Sequence, residues 1–183
     1  MKIALIVSSA LALSIVSSSA FAAEKMGVGA DAEFALPIGN LGDAAGIGFG
    51  AVGKFNYNIN DNISLTGRLG FIYHLAKDYG IVTVGISYIP VRAGMKYFFM
   101  GNNDGFYVGG EAGVNYLMAR ASSSSSLVTS TGGDSSLKFG LGGGAGYQLG
   151  KLDFRGGLNF LDVGHIGDSI VIALNVGYRF VEF

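Results

Sequence analysis

The chain has no cysteine and no tryptophan, and only two of its 183 residues are proline. Without cysteine, no lipid can be attached at a processed N-terminus. Charged residues make up only 14%, and 12 basic against 13 acidic side chains leave a formal net charge of −1. That balance argues against nucleic acid, which calls for a basic surface. Half of the residues are hydrophobic, yet no long apolar run follows the first 22 residues. Such a composition is unusual for a soluble protein. It suits a chain whose apolar residues face lipid at alternate positions.

What is present begins with a targeting segment. Lys2 supplies a positive start, residues 3–16 an apolar core, and Ala20-Phe21-Ala22 a small-x-small cleavage site. The apolar run is shorter than the roughly 20 residues a spanning helix needs. The expected division is therefore a cleavable signal peptide, 1–22, and a single domain, 23–183.

Eight segments of period-two alternation follow, the mark of strands whose successive side chains point to opposite faces. They are expected at residues 26–36, 47–59, 63–73, 82–99, 106–118, 137–149, 152–160 and 169–180. The fourth changes parity midway: Val84, Ile86 and Tyr88 occupy even positions, but Val91, Ala93, Met95, Tyr97 and Phe99 odd ones. Pro90 sits at the change, and a β-bulge is the expected cause. Short links at 60–62, 101–105 and 150–151 alternate with longer ones at 37–46, 74–81, 119–136 and 162–168. The longest, 119–136, is serine-rich with little apolar content and is expected to be mobile and solvated.

Charge placement tests this scheme, because Arg or Lys facing lipid near the midplane costs about 2–4 kcal/mol. The strand charges are Asp31, Glu33, Lys54, Arg68, Arg92, Lys96, Glu111, Lys138, Asp153, Arg155 and Arg179. All fall opposite the apolar series. Eight strands enclose a space only wide enough for side chains, so these groups are expected to form a paired network that plugs the interior. Within it, Glu111 is expected to pair with Arg92, Lys96 or both.

The last strand alternates Ile170, Ile172, Leu174, Val176, Tyr178 and Phe180 against small or polar residues. This resembles the closing strand of bacterial outer-membrane barrels, whose terminal aromatic serves as an assembly signal. Counting back from Phe183 would put Arg179 and Asn175 on the lipid side, so Val176, Tyr178 and Phe180 are taken as the signal. The segment Ile89 to Phe98 also resembles one common in small outer-membrane barrels. Over the whole processed chain, the resemblance is to eight-stranded OmpA-like and opacity-type barrels. It implies an all-β, antiparallel, up-and-down transmembrane barrel in the bacterial outer membrane. The implied partners are outer-membrane lipid and lipopolysaccharide, and the barrel assembly machinery during biogenesis.

Other motifs fit strands better than sites. Gly48-Phe-Gly-Ala-Val-Gly53 matches a dinucleotide fingerprint by letter, but the period-two pattern continues after it where a helix would have to start. Two separated histidines, His74 and His165, do not make a metal site. His165 has Asp162, Asp168 and Ser169 nearby, the residue types of a rim hydrolase or acyltransferase, but no catalytic motif accompanies them. No enzyme activity, metal or cofactor is expected. The function expected is a non-enzymatic barrel for envelope support or surface interaction. A narrow porin-like or small-ligand transport barrel is the alternative, and a rim lipid enzyme a distant one.

Overall fold

The computed structural model describes residues 26–78, 82–125 and 128–183; the segment expected to be a signal peptide, with Ala20 and Ala22, lies outside them. Eight long strands form the staves: β1 (Met26–Ile38), β2 (Gly48–Asn58), β3 (Ile63–His74), β4 (Val82–Phe98), β5 (Gly105–Ser125), β6 (Val128–Leu149), β7 (Leu152–Phe160) and β8 (Ile170–Glu182). Each pairs antiparallel with its neighbours in sequence, and β1 pairs with β8 to close the circle. A two-residue strand, Lys77–Asp78, adds to the edge of β4.

The alternation read from the sequence decides which side of the sheet is wet. Val28, Phe34, Phe49, Leu69, Phe71, Phe106, Phe139, Phe154, Leu174 and Val176 are exposed on the outside, whereas Asp31, Glu33, Lys54, Arg68, Arg92 and Glu111 are buried inside. A soluble barrel would have the reverse. Following paired residues round the circuit from Val108 through Ala145, Gly156, Leu174, Phe34, Phe49, Tyr73 and Ser87 returns to β5 at Met118. The register has then advanced ten residues, a stagger that goes with strands tilted by about 40° from the barrel axis.

Turns at one end are tight. Gly150 takes φ +54 in the β6–β7 turn, a conformation that glycine adopts without a Cβ penalty. At the other end the links carry a short helix, α1 (Asn40–Ala44), and a 3₁₀ turn over Val163–Asp168. Asn40 donates to Asp168 across that mouth at 2.5 Å.

Two expectations about the strands are corrected. No bulge occurs at Pro90: Ile89, Pro90 and Val91 pair in unbroken register with Tyr116, Asn115 and Val114. On its other side the β3–β4 ladder is interrupted between Leu69–Val91 and Ile72–Tyr88 without changing register, which accommodates the missing proline donor. The parity change reflects a change of environment, because Tyr88 is a fully buried inward residue. Secondly, the described residues of 119–136 do not form an unpaired loop. The β5–β6 ladder continues through Ala119–Asp134 and Arg120–Gly133 to Ser125–Val128, a ribbon held by backbone bonds that need no apolar side chains. Separately, the β1–β8 register shifts between Val28–Val181 and Gly29–Arg179, skipping Phe180.

Candidate functional site: a sealed barrel interior

The middle of the interior is ionic. On the side of the short turns, Lys54 Nζ lies between Asp31 Oδ1 at 2.7 Å and Asp153 Oδ2 at 3.1 Å. Lys96 Nζ donates to the same Asp153 oxygen at 2.6 Å and sits 4.2 Å from the centre of the Tyr107 ring. Tyr107 donates its hydroxyl proton to Asp153 Oδ1 at 2.6 Å.

One layer further out, Glu111 receives three guanidinium groups: Arg155 at 2.8 Å, Arg92 at 2.9 Å and Arg68 at 3.3 Å. Arg68 joins the two layers, because its Nη2 also reaches Glu33, Asp31 and Asn175 Oδ1, the last at 2.7 Å. Arg92 continues to Asn115 Oδ1 at 3.2 Å, and Asn115 donates to the Leu161 carbonyl at 2.9 Å. Buried charges survive only when paired and hydrogen-bonded. Here every carboxylate has at least one cation within 4 Å.

Nine of the eleven expected charges share this network. The other two do not: Lys138 pairs with Asp162 at the long-loop rim, 2.9 Å, and Arg179 with Glu182 at the short-turn rim, 2.5 Å. The skipped Phe180 is what allows the second pair, since Arg179 and Glu182 would otherwise face opposite ways. It also leaves both Phe180 and Phe183 exposed, so counting back from Phe183 no longer places Arg179 on the lipid side. Val176 and Tyr178 remain exposed, with Tyr178 and Phe180 in ring contact at 5.7 Å. Glu111 pairs with Arg92 but not with Lys96, whose carboxylate is Asp153 across the lumen.

Residues the sequence reading did not single out close both ends of the network. Towards the long loops, Ala35, Val52, Ile72, Tyr88, Leu161 and Val171 form an apolar layer with Leu41 and Leu117 packed on it. His74, expected at a loop, is buried beside that layer, 5.7 Å from the Tyr88 ring, and donates Nδ1–H to Gly46 O at 2.8 Å. Towards the short turns, buried Phe98 lies against Tyr107 at 5.2 Å. The parity of Val84, Ile86 and Tyr88 was the legible signal for the outer layer. A void of about 10 Å³ remains among Asp31, Lys54, Asn56, Arg68, Lys96 and Asp153, room for about one water. A hollow of about 530 Å³ opens outside the network, between the short turns.

Small residues make room for these groups. A Cβ on Gly177 would sit 1.9 Å from Asp31 Oδ1 and 2.3 Å from Lys54 Nζ. Along β6 the inward positions Gly140, Gly142, Gly144 and Gly146 carry no side chain at all.

The rim residues that could suggest catalysis are arranged otherwise. Ser169 Oγ donates to the carbonyls of Asp162 and His165, each 3.0 Å, and accepts from Asp162 N–H. His165 Nδ1 lies 3.2 Å from Asp162 Oδ2. The hydroxyl is thus engaged with backbone groups, not the ring of His165. Asp162 is held below the ordinary aspartate range by its hydrogen bond from Lys138. Among the described residues no group of His, Asp or Glu could hold a metal ion.

A closed eight-stranded barrel with lipid-facing aromatics and a paired ionic core is a transmembrane barrel of the outer-membrane kind. Residues 8–180 match the family of outer membrane protein beta-barrel domains, and the chain belongs to it. Among solved structures it is similar to the attachment invasion locus protein Ail of Yersinia pestis, at 16% identity and TM-score 0.56, covering 85% of this chain and 96% of that one. The N-terminal barrel of Pseudomonas aeruginosa OprF gives 15%, 0.53, and 86% and 98%. Neisserial surface protein A gives 22%, 0.50, and 87% and 97%. At these identities the likeness is one of fold. No curated protein sequence matches the chain.

Proposed function

We propose that this barrel is a non-conducting, non-enzymatic protein of the outer membrane that supports the envelope and meets surface partners through its long-loop end. The observation that carries the reading is the interior: ionic pairs in the middle, apolar or aromatic layers on both sides, and a void of only about 10 Å³. A transport path would need a continuous wet route. The Ser169 hydroxyl, held by backbone groups, favours the non-enzymatic side of the proposal. The chain is processed after Ala22, the 23–183 domain is inserted by the barrel assembly machinery, and Val176, Tyr178 and Phe180 mark its closing strand.

Conductance in planar bilayers tests the central point. The purified barrel should leave the membrane silent. Discrete opening steps, absent from mock-purified material, would favour the narrow transport barrel instead. Sequencing the N-terminus of the membrane-extracted protein tests the processing site.

A further inference from the structure

The ionic layer nearest the short turns holds donors that nothing in it accepts from. On β2 and β3 four inward residues form a patch, with Lys54 opposite Arg68 and Asn56 opposite Thr66. All four line the void of about 10 Å³. Asn56 is only 5% exposed and Arg68 only 7%. Among the described residues, none accepts a hydrogen bond from Asn56 Nδ2 or from Arg68 Nε, and both atoms are sealed from solvent. Buried polar groups in native proteins are almost always partnered. Two orphan donors on the walls of one void point to a ligand that accepts from both.

The acceptors around the void are already engaged. Asp153 Oδ2 accepts from Lys96 at 2.6 Å and from Lys54 at 3.1 Å, and its Oδ1 accepts from Tyr107 at 2.6 Å. Glu111 accepts from Arg92 on Oε1 and from Arg155 on Oε2. Asp31 Oδ1 faces the Lys54 ammonium at 2.7 Å. A water seated here would bring two O–H donors into a space whose carboxylates are held by cations. A halide brings no hydrogen to place.

Charge and size point the same way. Five bases and four acids share the network, which leaves one positive charge unanswered in the interior. A buried charge without a counter-charge is strongly unfavourable. Room for about one water excludes sulfate, phosphate and organic acids. Met95 is also among the walls, and its flexible side chain can yield to a sphere slightly larger than water.

We infer that the sealed interior binds one monoatomic anion, with chloride the natural occupant, held by Asn56 Nδ2–H and Arg68 Nε–H. The anion balances the charge of the plug and is taken up as the barrel folds. The site uses the same sealed interior as the non-conducting reading, but the two fail separately. A conducting barrel with an ordered halide keeps the site, and a silent barrel without one loses it.

The test refolds and crystallises the intact barrel with bromide as its sole halide and locates bromide by anomalous scattering. A peak is expected inside the barrel, within hydrogen-bond reach of Asn56 Nδ2 and Arg68 Nε. A water there with no anomalous signal, or peaks on the surface alone (an adventitious ion only), would overturn the site. In neutral detergent, thermal midpoints are compared in chloride and in gluconate at equal ionic strength. A site filled only in the folded barrel predicts a rise of about 3–6 °C for each tenfold increase in chloride above half-saturation, and none in gluconate. Midpoints that do not depend on which anion is present would overturn it as well. Asn56→Asp places a fixed negative charge of nearly the same shape at the site, so it should lose both the bromide peak and the chloride dependence. Asn56→Leu removes the donor without adding charge and should weaken the chloride dependence, so the result does not hang on one variant folding. A bromide peak that persists in Asn56→Asp, or an undiminished chloride dependence in folded Asn56→Leu, would overturn the assignment.

Discussion

Glu111→Gln is the sharpest perturbation of the interior, because one carboxylate there answers three guanidinium groups. After the change, Arg68 keeps Asp31 and Glu33, and Arg92 keeps the Asn115 oxygen. Arg155 loses the carboxylate it contacts at 2.8 Å. The shared network has five bases, Lys54, Arg68, Arg92, Lys96 and Arg155, against four acids, Asp31, Glu33, Glu111 and Asp153, so its formal charge rises from +1 to +2. Removing one partner of a buried pair costs about 3–5 kcal/mol, mostly through the charge left behind. For a domain of this size each kcal/mol moves the midpoint by about 2–4 °C, so the thermal transition should fall by roughly 6–20 °C. The folded and unfolded forms separate on unheated gels, and a temperature series reads the midpoint directly. Glu111→Gln combined with Arg155→Met restores the charge balance and should recover part of the loss. The single variant should still not conduct, because the layer of Val52, Ile72, Tyr88 and Val171 lies beyond the altered group. A midpoint within about 2 °C of wild type would refute the claim that Glu111 anchors the network.

Three further expectations follow from named contacts. Gly177→Ala should displace the Asp31–Lys54 pair, since its new methyl would lie 1.9 Å from Asp31 Oδ1; a heat-modifiability midpoint unchanged from wild type would contradict this. Phe180→Ala should lower the amount of folded barrel in outer-membrane fractions more than Phe183→Ala, because Phe180 continues the Val176–Tyr178 series and touches the Tyr178 ring; quantitative blotting of membrane fractions ranks the two. The Asp162 carboxylate should titrate below the ordinary value of 3.8 and move back up in Lys138→Met. The stability this pair contributes is present above the unfolded value and lost as pH falls through the lowered one. Carbon-detected NMR titration of Asp162 follows it.

The barrel was legible in the sequence because its two faces meet opposite solvents. On β7, Leu152, Phe154 and Leu158 against Asp153, Arg155 and Asn159 leave little choice of side. Partners across the lumen were not legible in the same way. Lys96 on β4 neighbours Glu111 through a short turn, yet its carboxylate is Asp153 on β7, a choice made by barrel curvature that no strand alternation encodes. Pro90 and Phe180 show the limit from opposite directions. At Pro90 the parity of apolar residues changed while the backbone did not, because the interior itself turns apolar around Tyr88. At Phe180 the backbone register shifts, and only the apposition of Arg179 and Glu182 reveals it. Residues 119–136 misled for a third reason: a ladder of backbone bonds leaves no mark on side-chain hydropathy.

The glycine column of β6 has a mechanical consequence. Seven staves reach into the lumen with side chains that grip one another across it, but from Gly140 to Gly146 β6 offers only backbone. That stave is held there by its two seams alone, and the seam with β7 runs only from Leu141–Phe160 to Leu149–Leu152. Circumferential tension would therefore fall on that seam, where no cross-lumen ion pair shares the load. A barrel unzipped under force, or caught half-closed during insertion, should part between β6 and β7 while the pairs around Glu111 and Asp153 still hold the remaining staves together.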